Sequence, residues 1–373
     1  MKTGRSRPCN LLATLRPGVA LRDLIVVGGG PAGLATALYA AGRGLDVTVF
    51  EPRQAPIDKA CGEGVMPPGV AALADLGVSP AGLPFRGIRY LDESVSVDGL
   101  FGGVSGLGVR RTTLHASLTD AVARAGISCE ATQVRSFIQD ASGVVVNGLR
   151  AKWLVGADGL HSRIRRLAGM AAGSAGQQHR YGLRRHFALA PWTDLVEVYW
   201  AGDCEAYVTP VAPDCVGIAF LLAGGDREGR AATGDGTTSA YGRRLRMFPA
   251  LLERLGDAAP SSEVRGAGPL RQRVHSRVTG RVVLVGDAAG YIDPLTGEGI
   301  GLSLTCARAA VDCLVRGRAQ DYERAWRRLT RQHRVMTSAL LWCAERPALR
   351  SRLVPLAARL PRVFTVAVNR LAA

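Results

Sequence analysis

Lysine is nearly missing from this chain: Lys2, Lys59 and Lys152 are the only three, and arginine supplies the rest of the 47 basic residues. Against 31 acidic residues this leaves a net charge of +16. The arginines are nevertheless spread along the sequence, and aromatics are scarce at 6%. No basic arm interleaved with aromatics exists, so nucleic-acid binding is not expected. The excess charge suits a phosphorylated cofactor or an anionic membrane surface instead. None of the eight cysteines forms a C-x-x-C pair, and no histidine cluster joins them. Zinc, iron–sulfur and other metal sites are therefore not expected, and a reduced cytoplasmic protein is the plain reading. Uncharged apolar runs stay below the roughly 18 residues of a spanning helix. Leu11 to Leu15 is too short and interrupted for a signal-peptide core, so residues 1–22 read as a flexible lead.

What the chain does carry begins at Leu24. The apolar strand Leu24-Ile25-Val26-Val27 runs into Gly28-Gly29-Gly30-Pro31-Ala32-Gly33 and then into Leu34-Ala35-Thr36-Ala37-Leu38-Tyr39. A second strand, Asp46 to Phe50, ends on Glu51. Strand, glycine turn, helix, strand and acid in this order form the βαβ dinucleotide fingerprint. Gly28 allows the tight turn, Gly30 a close approach of a pyrophosphate, and Gly33 close packing of helix on strand. The amides that open the helix, around Pro31 and Ala32, have no intrahelical partners and face the positive end of the macrodipole. Glu51 can accept hydrogen bonds from a ribose diol.

Two further strands, Trp153-Leu154-Val155 and Arg281 to Val285, are near-continuous apolar runs, as in a sheet buried on both faces. They end in Gly156-Ala157-Asp158-Gly159 and Gly286-Asp287-Ala288-Ala289-Gly290. The segments between alternate. Phe85 to Asp92 and Ser94 to Leu100 are broken by turn residues, and Phe137 to Asn147 reads as a hairpin about Asp140 to Gly143. Leu195 to Trp200, Cys204 to Val211 and Cys215 to Leu222 read as a meander. Residues 226–240, rich in Gly, Asp and Thr, read as a mobile loop, and the pattern turns helical from Tyr322 onward. The expected fold is α/β: a Rossmann-like dinucleotide-binding domain (residues 23–84, 101–175 and 265–320), with an inserted antiparallel β-sheet substrate domain (85–100 and 176–264). A C-terminal helical segment (321–373) completes it. Pro347, Pro355 and Pro361 are expected to cut that segment into short helices. Its Leu, Val and Ala mixed with arginines read as a helical cap, or as a basic amphipathic surface in peripheral contact with a membrane.

After Gly286-Asp287 come Pro294 and Gly297-Glu298-Gly299-Ile300-Gly301, where a helix starts and runs to about Leu314. A strand-terminal Asp can hold a polyol hydroxyl. A helix N-terminus stabilises negative charge over N1 and O2 of a reduced flavin, which argues for a flavin rather than a nicotinamide as the bound cofactor. The three stretches together resemble the FAD-binding motifs of the para-hydroxybenzoate hydroxylase-like superfamily, in matching order over residues 23–315. The resemblance implies FAD as cofactor, Asp158 near its phosphate side and Asp287 on its ribityl chain. It implies the amides of Gly297, Gly299 and Ile300 at the ring, and Arg111, which opens a helix, in contact with FAD. Val134, on the strand after that helix, matches a position whose backbone meets the adenine.

The aromatic hydroxylases of this superfamily usually have His and Gln where this chain has Gly290 and Glu298. Lys59-Ala60-Cys61-Gly62-Glu63-Gly64 instead resembles the geranylgeranyl reductase-like branch. The Trp-x-Trp-x-Ile-Pro signature of flavin halogenases is absent. Cys61 reads either as a catalytic group near flavin or substrate or as a small residue in a glycine turn. Glu63 reads as a structural loop residue, with orienting the flavin or bonding Lys59 as the alternatives, and Glu298 as dipole stabilisation. His186, His275 and His333 read as isolated structural residues. Tyr181, Tyr199, Trp200 and Tyr207 lie on inserted strands whose inward face alternation alone does not assign. The favoured function is NAD(P)H-dependent oxygenation of a hydrophobic aromatic or polyketide-like small molecule in secondary metabolism, with NAD(P)H as a transient reductant. The alternative is FAD-dependent reduction of isoprenoid double bonds. A non-catalytic flavin-binding protein is a third.

Overall fold

The computed structural model describes residues 21–173, 180–223 and 239–372. Most of the expected lead (1–22) and of the expected mobile loop (226–240) lies outside these residues; Arg22 already belongs to the first strand.

The chain leaves and re-enters one sheet three times. Arg22–Val27 lies between Val47–Phe50 and Leu149–Gly156, all parallel. Val282–Leu284 extends the sheet in parallel beyond Leu149–Gly156, and Ser128–Glu130 beyond Val47–Phe50. The hairpin Phe137–Gln139/Val144–Val146 is appended antiparallel to Leu149–Gly156. Leu24, Ile25, Val26, Val282, Val283 and Leu284 are wholly buried, which is why these strands read as unbroken apolar runs. Parallel strands need crossovers, and the helices Pro31–Ala41 and Gly299–Val315 pack on each other beside the sheet. Pro31 occupies the first helical position, where its missing N–H costs nothing.

A second sheet has the order Arg265–Ala267, Arg180–Ala188, Cys215–Ala223, Cys204–Ala212, Val196–Ala201, Gly87–Leu91, Ser96–Leu100. The expected meander is its centre. It departs from a purely antiparallel sheet at one joint: Gly87–Leu91 runs parallel to Val196–Ala201. These two strands belong to separate excursions from the first sheet, so no tight turn dictates their relative direction. Arg265–Ala267 also pairs here, although the sequence reading gave residues from 265 onward to the nucleotide domain. Three residues carry no periodic signal. A small third sheet joins Gly64–Val65, Gly106–Gly108 and Leu83–Phe85.

The C-terminal helices are Asp321–Ala344, Pro347–Arg359 and Pro361–Ala372. Pro347 starts one helix and Pro361 the next, but Pro355 lies inside a helix and does not cut it, contrary to expectation. The carbonyl it leaves without a donor belongs to Ser351, which is exposed and so open to solvent. Pro361–Ala372 lies across Ser96–Leu100. Its Val368 and Leu371 join Phe85, Ile88, Val196 and Val198 in one buried cluster.

Candidate functional site

A continuous cleft runs from the fingerprint turn to the underside of the second sheet. At its first end, Gly28 has φ 109°, and a Cβ there would meet the Ala157 carbonyl oxygen at 2.5 Å. A Cβ on Gly33 would sit 1.8 Å from the Gly28 carbonyl oxygen. Backbone packing alone thus demands both glycines. Glu51 buttresses the turn: Oε2 accepts the Gly29 N–H at 2.8 Å and Oε1 the Arg53 N–H at 3.0 Å. Burial alone would raise its pKa, but the Arg53 guanidinium and these two amides outweigh it and hold the carboxyl below the ordinary range. His115 supports the turn from behind, its Nε2–H donating to the Gly29 carbonyl at 2.8 Å.

Of the residues expected at a cofactor, Gly30, Pro31, Ala32, Cys61, Arg111, Asp158, Asp287, Gly297, Gly299 and Ile300 line the cleft. Gly28, Gly33 and Glu51 shape it from behind. Val134 does neither: it follows the strand Ser128–Glu130 rather than lying on it, and it is buried in the core of the first sheet. Its side chain is apolar enough to be drawn inward once the strand has ended.

The Asp158 carboxylate accepts the Ser162 hydroxyl, the Arg163 N–H at 2.6 Å and the Ile164 N–H at 3.0 Å. It caps the helix Arg163–Leu167, so both its oxygens are committed to protein donors. Arg165, from the same helix, donates to the carbonyls of Asp287 and Ala288, each at 3.2 Å, to Leu160 at 2.8 Å and to Gln272 Oε1 at 2.7 Å. It clamps the turn that presents Asp287. The Asp287 carboxylate lies 3.7 Å from Lys59 Nζ. The helix Gly299–Val315 has no side-chain cap, and Glu298 instead meets His333 Nδ1 at 2.9 Å.

Beyond the turn, the loop Cys61-Gly62-Glu63 forms the cleft's floor. Glu63 has φ 61° and is 1% exposed. Its Oε1 accepts the Arg111 N–H at 2.7 Å, and its Oε2 accepts His186 Nε2–H at 2.6 Å. Arg184 lies 3.8 Å away and also pairs with Asp58. Thr209 donates to the Gly62 carbonyl at 2.7 Å. Glu63 thus holds the loop; the alternative pair with Lys59 is not formed, because Lys59 reaches Asp287 instead, and His186 is not isolated. The Glu63 N–H approaches Cys61 Sγ at 3.4 Å, and burial pushes the Cys61 thiol up. The far wall is Phe85, Ile88, Val196, Val198 and Leu221, closed by Leu371. Tyr207 faces this space, its hydroxyl donating to the Leu295 carbonyl at 3.2 Å. Tyr199 points to the other face and donates to Glu197 at 2.8 Å.

Residues 22–320 match the family model described as FAD binding domain. The chain belongs to this FAD-binding family. It is an FAD-dependent oxidoreductase. It is 30% identical to a menaquinone reductase of Mycolicibacterium smegmatis over 340 residues, 83% of this chain and 80% of the relative. It is 27% identical to digeranylgeranylglycerophospholipid reductase 1 of Methanopyrus kandleri over 322 residues, 80% of this chain and 82% of the relative. Among solved structures, a flavoprotein/dehydrogenase from Cytophaga hutchinsonii superposes with a TM-score of 0.78 at 18% identity, covering 94% of this chain and 92% of that one. A flavin-dependent brominase superposes with a TM-score of 0.76 at 15% identity, covering 93% and 94%. At these identities the superpositions show the shared fold.

The residues present fit FAD. A Cβ on Gly30 would meet only Arg111 Nη2, at 3.8 Å, so no protein atom demands glycine there and the room is left for a ligand. Among the described residues, Arg111 Nε is buried without a partner. The amides opening the Gly299 helix line the same cleft without a cap. An anionic, polyol-bearing dinucleotide offers acceptors to all three. His115 and Arg165 carry no signal in the sequence, and His186 reads there as isolated although it pairs with Glu63. Their partners lie 86, 122 and 123 residues away, and no local spacing announces such pairs.

Proposed function

We propose that this oxidoreductase saturates carbon–carbon double bonds in the prenyl chain of a lipid-like substrate. The observation that carries the proposal is the apolar far wall, Phe85, Ile88, Val196, Val198, Leu221 and Leu371. A hydrocarbon chain presents no hydrogen-bonding group, and a wall of this kind recognises it by burial alone. The names of the two reductase relatives support the same reading, one of them referring to a digeranylgeranyl lipid.

Bound FAD supplies hydride chemistry. Gly30, Arg111, Asp287, Gly297, Gly299 and Ile300 would hold it. Saturation of an alkene also consumes a proton, and Cys61 is placed to give one. Its thiol lines the cleft, and burial keeps it in the protonated form. Glu63 fixes the loop that presents it through the Arg111 amide and His186. The apolar wall excludes water from the reacting carbon. NAD(P)H is the proposed external reductant.

The test is anaerobic incubation of chemically reduced holoenzyme with a geranylgeranyl lipid, read by mass spectrometry. The expected product gains two hydrogens per double bond reduced. Cys61→Ser should slow turnover by about 10²-fold or more with full FAD content. A product that gains one oxygen, formed with NAD(P)H only in air, would replace this proposal by the oxygenase expectation.

A further inference from the structure

The last two helices are apolar on both sides. On the inner side, Val368 and Leu371 are buried, and Leu371 closes the substrate cleft. On the outer side, Val363 and Val366 of Pro361–Ala372 are 62% and 56% exposed, and Leu356 and Leu360 just before them 56% and 49%. Val363 and Val366 are three residues apart on one helix and so share a face, while Leu356 and Leu360 lie at the end of the preceding helix and at the junction. The turn after Ser96–Leu100 shares the surface. Gly102 N–H donates to Asn369 Oδ1 at 2.8 Å, and Asn369 Nδ2–H to the Leu100 carbonyl at 3.1 Å. Leu100 at the end of the strand and Val104 beyond it are 39% and 48% exposed.

Charge identifies the occupant. No Asp or Glu occurs from residue 346 to the end of the sequence. Arg352, Arg359, Arg362 and Arg370 are exposed on the same two helices. Arg346 lies over the Trp342 ring at 4.0 Å, and that ring is 52% exposed. In a second copy of this face these arginines would meet arginines with no acid from the same segment to pair them, and Asp98 on the neighbouring strand is already held by Arg89. An anionic bilayer offers acyl chains to the valines and leucines and phosphates to the arginines, with the tryptophan at the headgroup level.

We infer that the helices Pro347–Arg359 and Pro361–Ala372 dock the enzyme on an anionic lipid surface, with the roof of the substrate cleft as the docked element. The inference is independent of the reaction type, because vesicle binding is measured without turnover.

The test is co-sedimentation of the full-length holoenzyme with vesicles of phosphatidylcholine alone or with about one third phosphatidylglycerol. Binding to the anionic vesicles should exceed binding to the neutral ones by about tenfold or more and fall as salt is raised. The double variant Val363→Glu/Val366→Glu changes two exposed side chains. It should bind about tenfold less with unchanged FAD content and melting temperature. Equal binding by this variant, or no preference for anionic vesicles, overturns the inference. So does a dimer in gel filtration that the variant dissociates, which would make the face a contact between copies.

Discussion

At Glu63 a carboxylate with almost no exposure sits on a left-handed backbone, and three remote groups hold it there: the Arg111 amide, His186 and Arg184. Such a conformation costs a non-glycine residue roughly 1–3 kcal/mol and persists only where surroundings over-determine it. Glu63→Ala removes the acceptor and leaves a buried arginine and histidine facing each other. Denaturant unfolding should show a loss of about 3–5 kcal/mol. A loss below about 1 kcal/mol would mean that the network is not what fixes the Cys61 loop. The glycines of the fingerprint were legible in the sequence because each answers a local demand of φ or close approach. The partners of Glu63 were not, because they are groups that only folding delivers to it.

Among the elements, the last helix packs tightly on the strand Ser96–Leu100. A Cβ on Gly99 would meet Val368 Cγ2 at 2.6 Å and Phe364 Cε1 at 3.0 Å. Gly99→Val should therefore push Pro361–Ala372 off the strand, at about 1–3 kcal/mol. Amide hydrogen exchange should accelerate selectively in residues 361–372, with the first sheet unchanged. Uniform acceleration, or none, would count against this packing as the seat of the cap. The cuts expected at Pro347 and Pro361 coincide with helix starts, where a proline has no donor to lose, whereas the cut expected at Pro355 is absent. The parallel joint between Gly87–Leu91 and Val196–Ala201 could not be read from the residues, because alternation specifies faces and leaves strand direction open.

For the molecule as a whole, buried and half-buried ion pairs tie distant segments together and set its acid limit. Burial alone would raise Asp58, but Arg184 and Arg265 outweigh it. Burial would likewise raise Glu323, but the Arg277 amide and guanidinium outweigh it. The Arg89 hydrogen bond lowers Asp98, and Glu51 is lowered at the fingerprint. A carboxyl with a depressed folded pKa contributes stability above its unfolded value, and that contribution is lost as pH falls through the folded value. Burial raises Glu205 and Asp293 despite Arg180, and these two act in the opposite sense. Hydrogen bonds lower Asp23 and Asp140 as well, so among the described residues six depressed carboxyls stand against two raised ones, and the melting temperature should hold near neutral pH and drop below about pH 4. A melting temperature that rises on acidification through this range would refute the assignment.

The FAD fingerprint, the apolar strands of the first sheet and the helix that starts at Gly299 were all written locally. Turn geometry, period and missing amide partners act over a few neighbouring residues, and so they survive as pattern. Which tyrosine faces the cleft, how Glu63 finds His186, and that the chain's last helix roofs the cleft depend on contacts between residues far apart in sequence. Those contacts exist only once burial has brought the sheets and the C-terminal helices together.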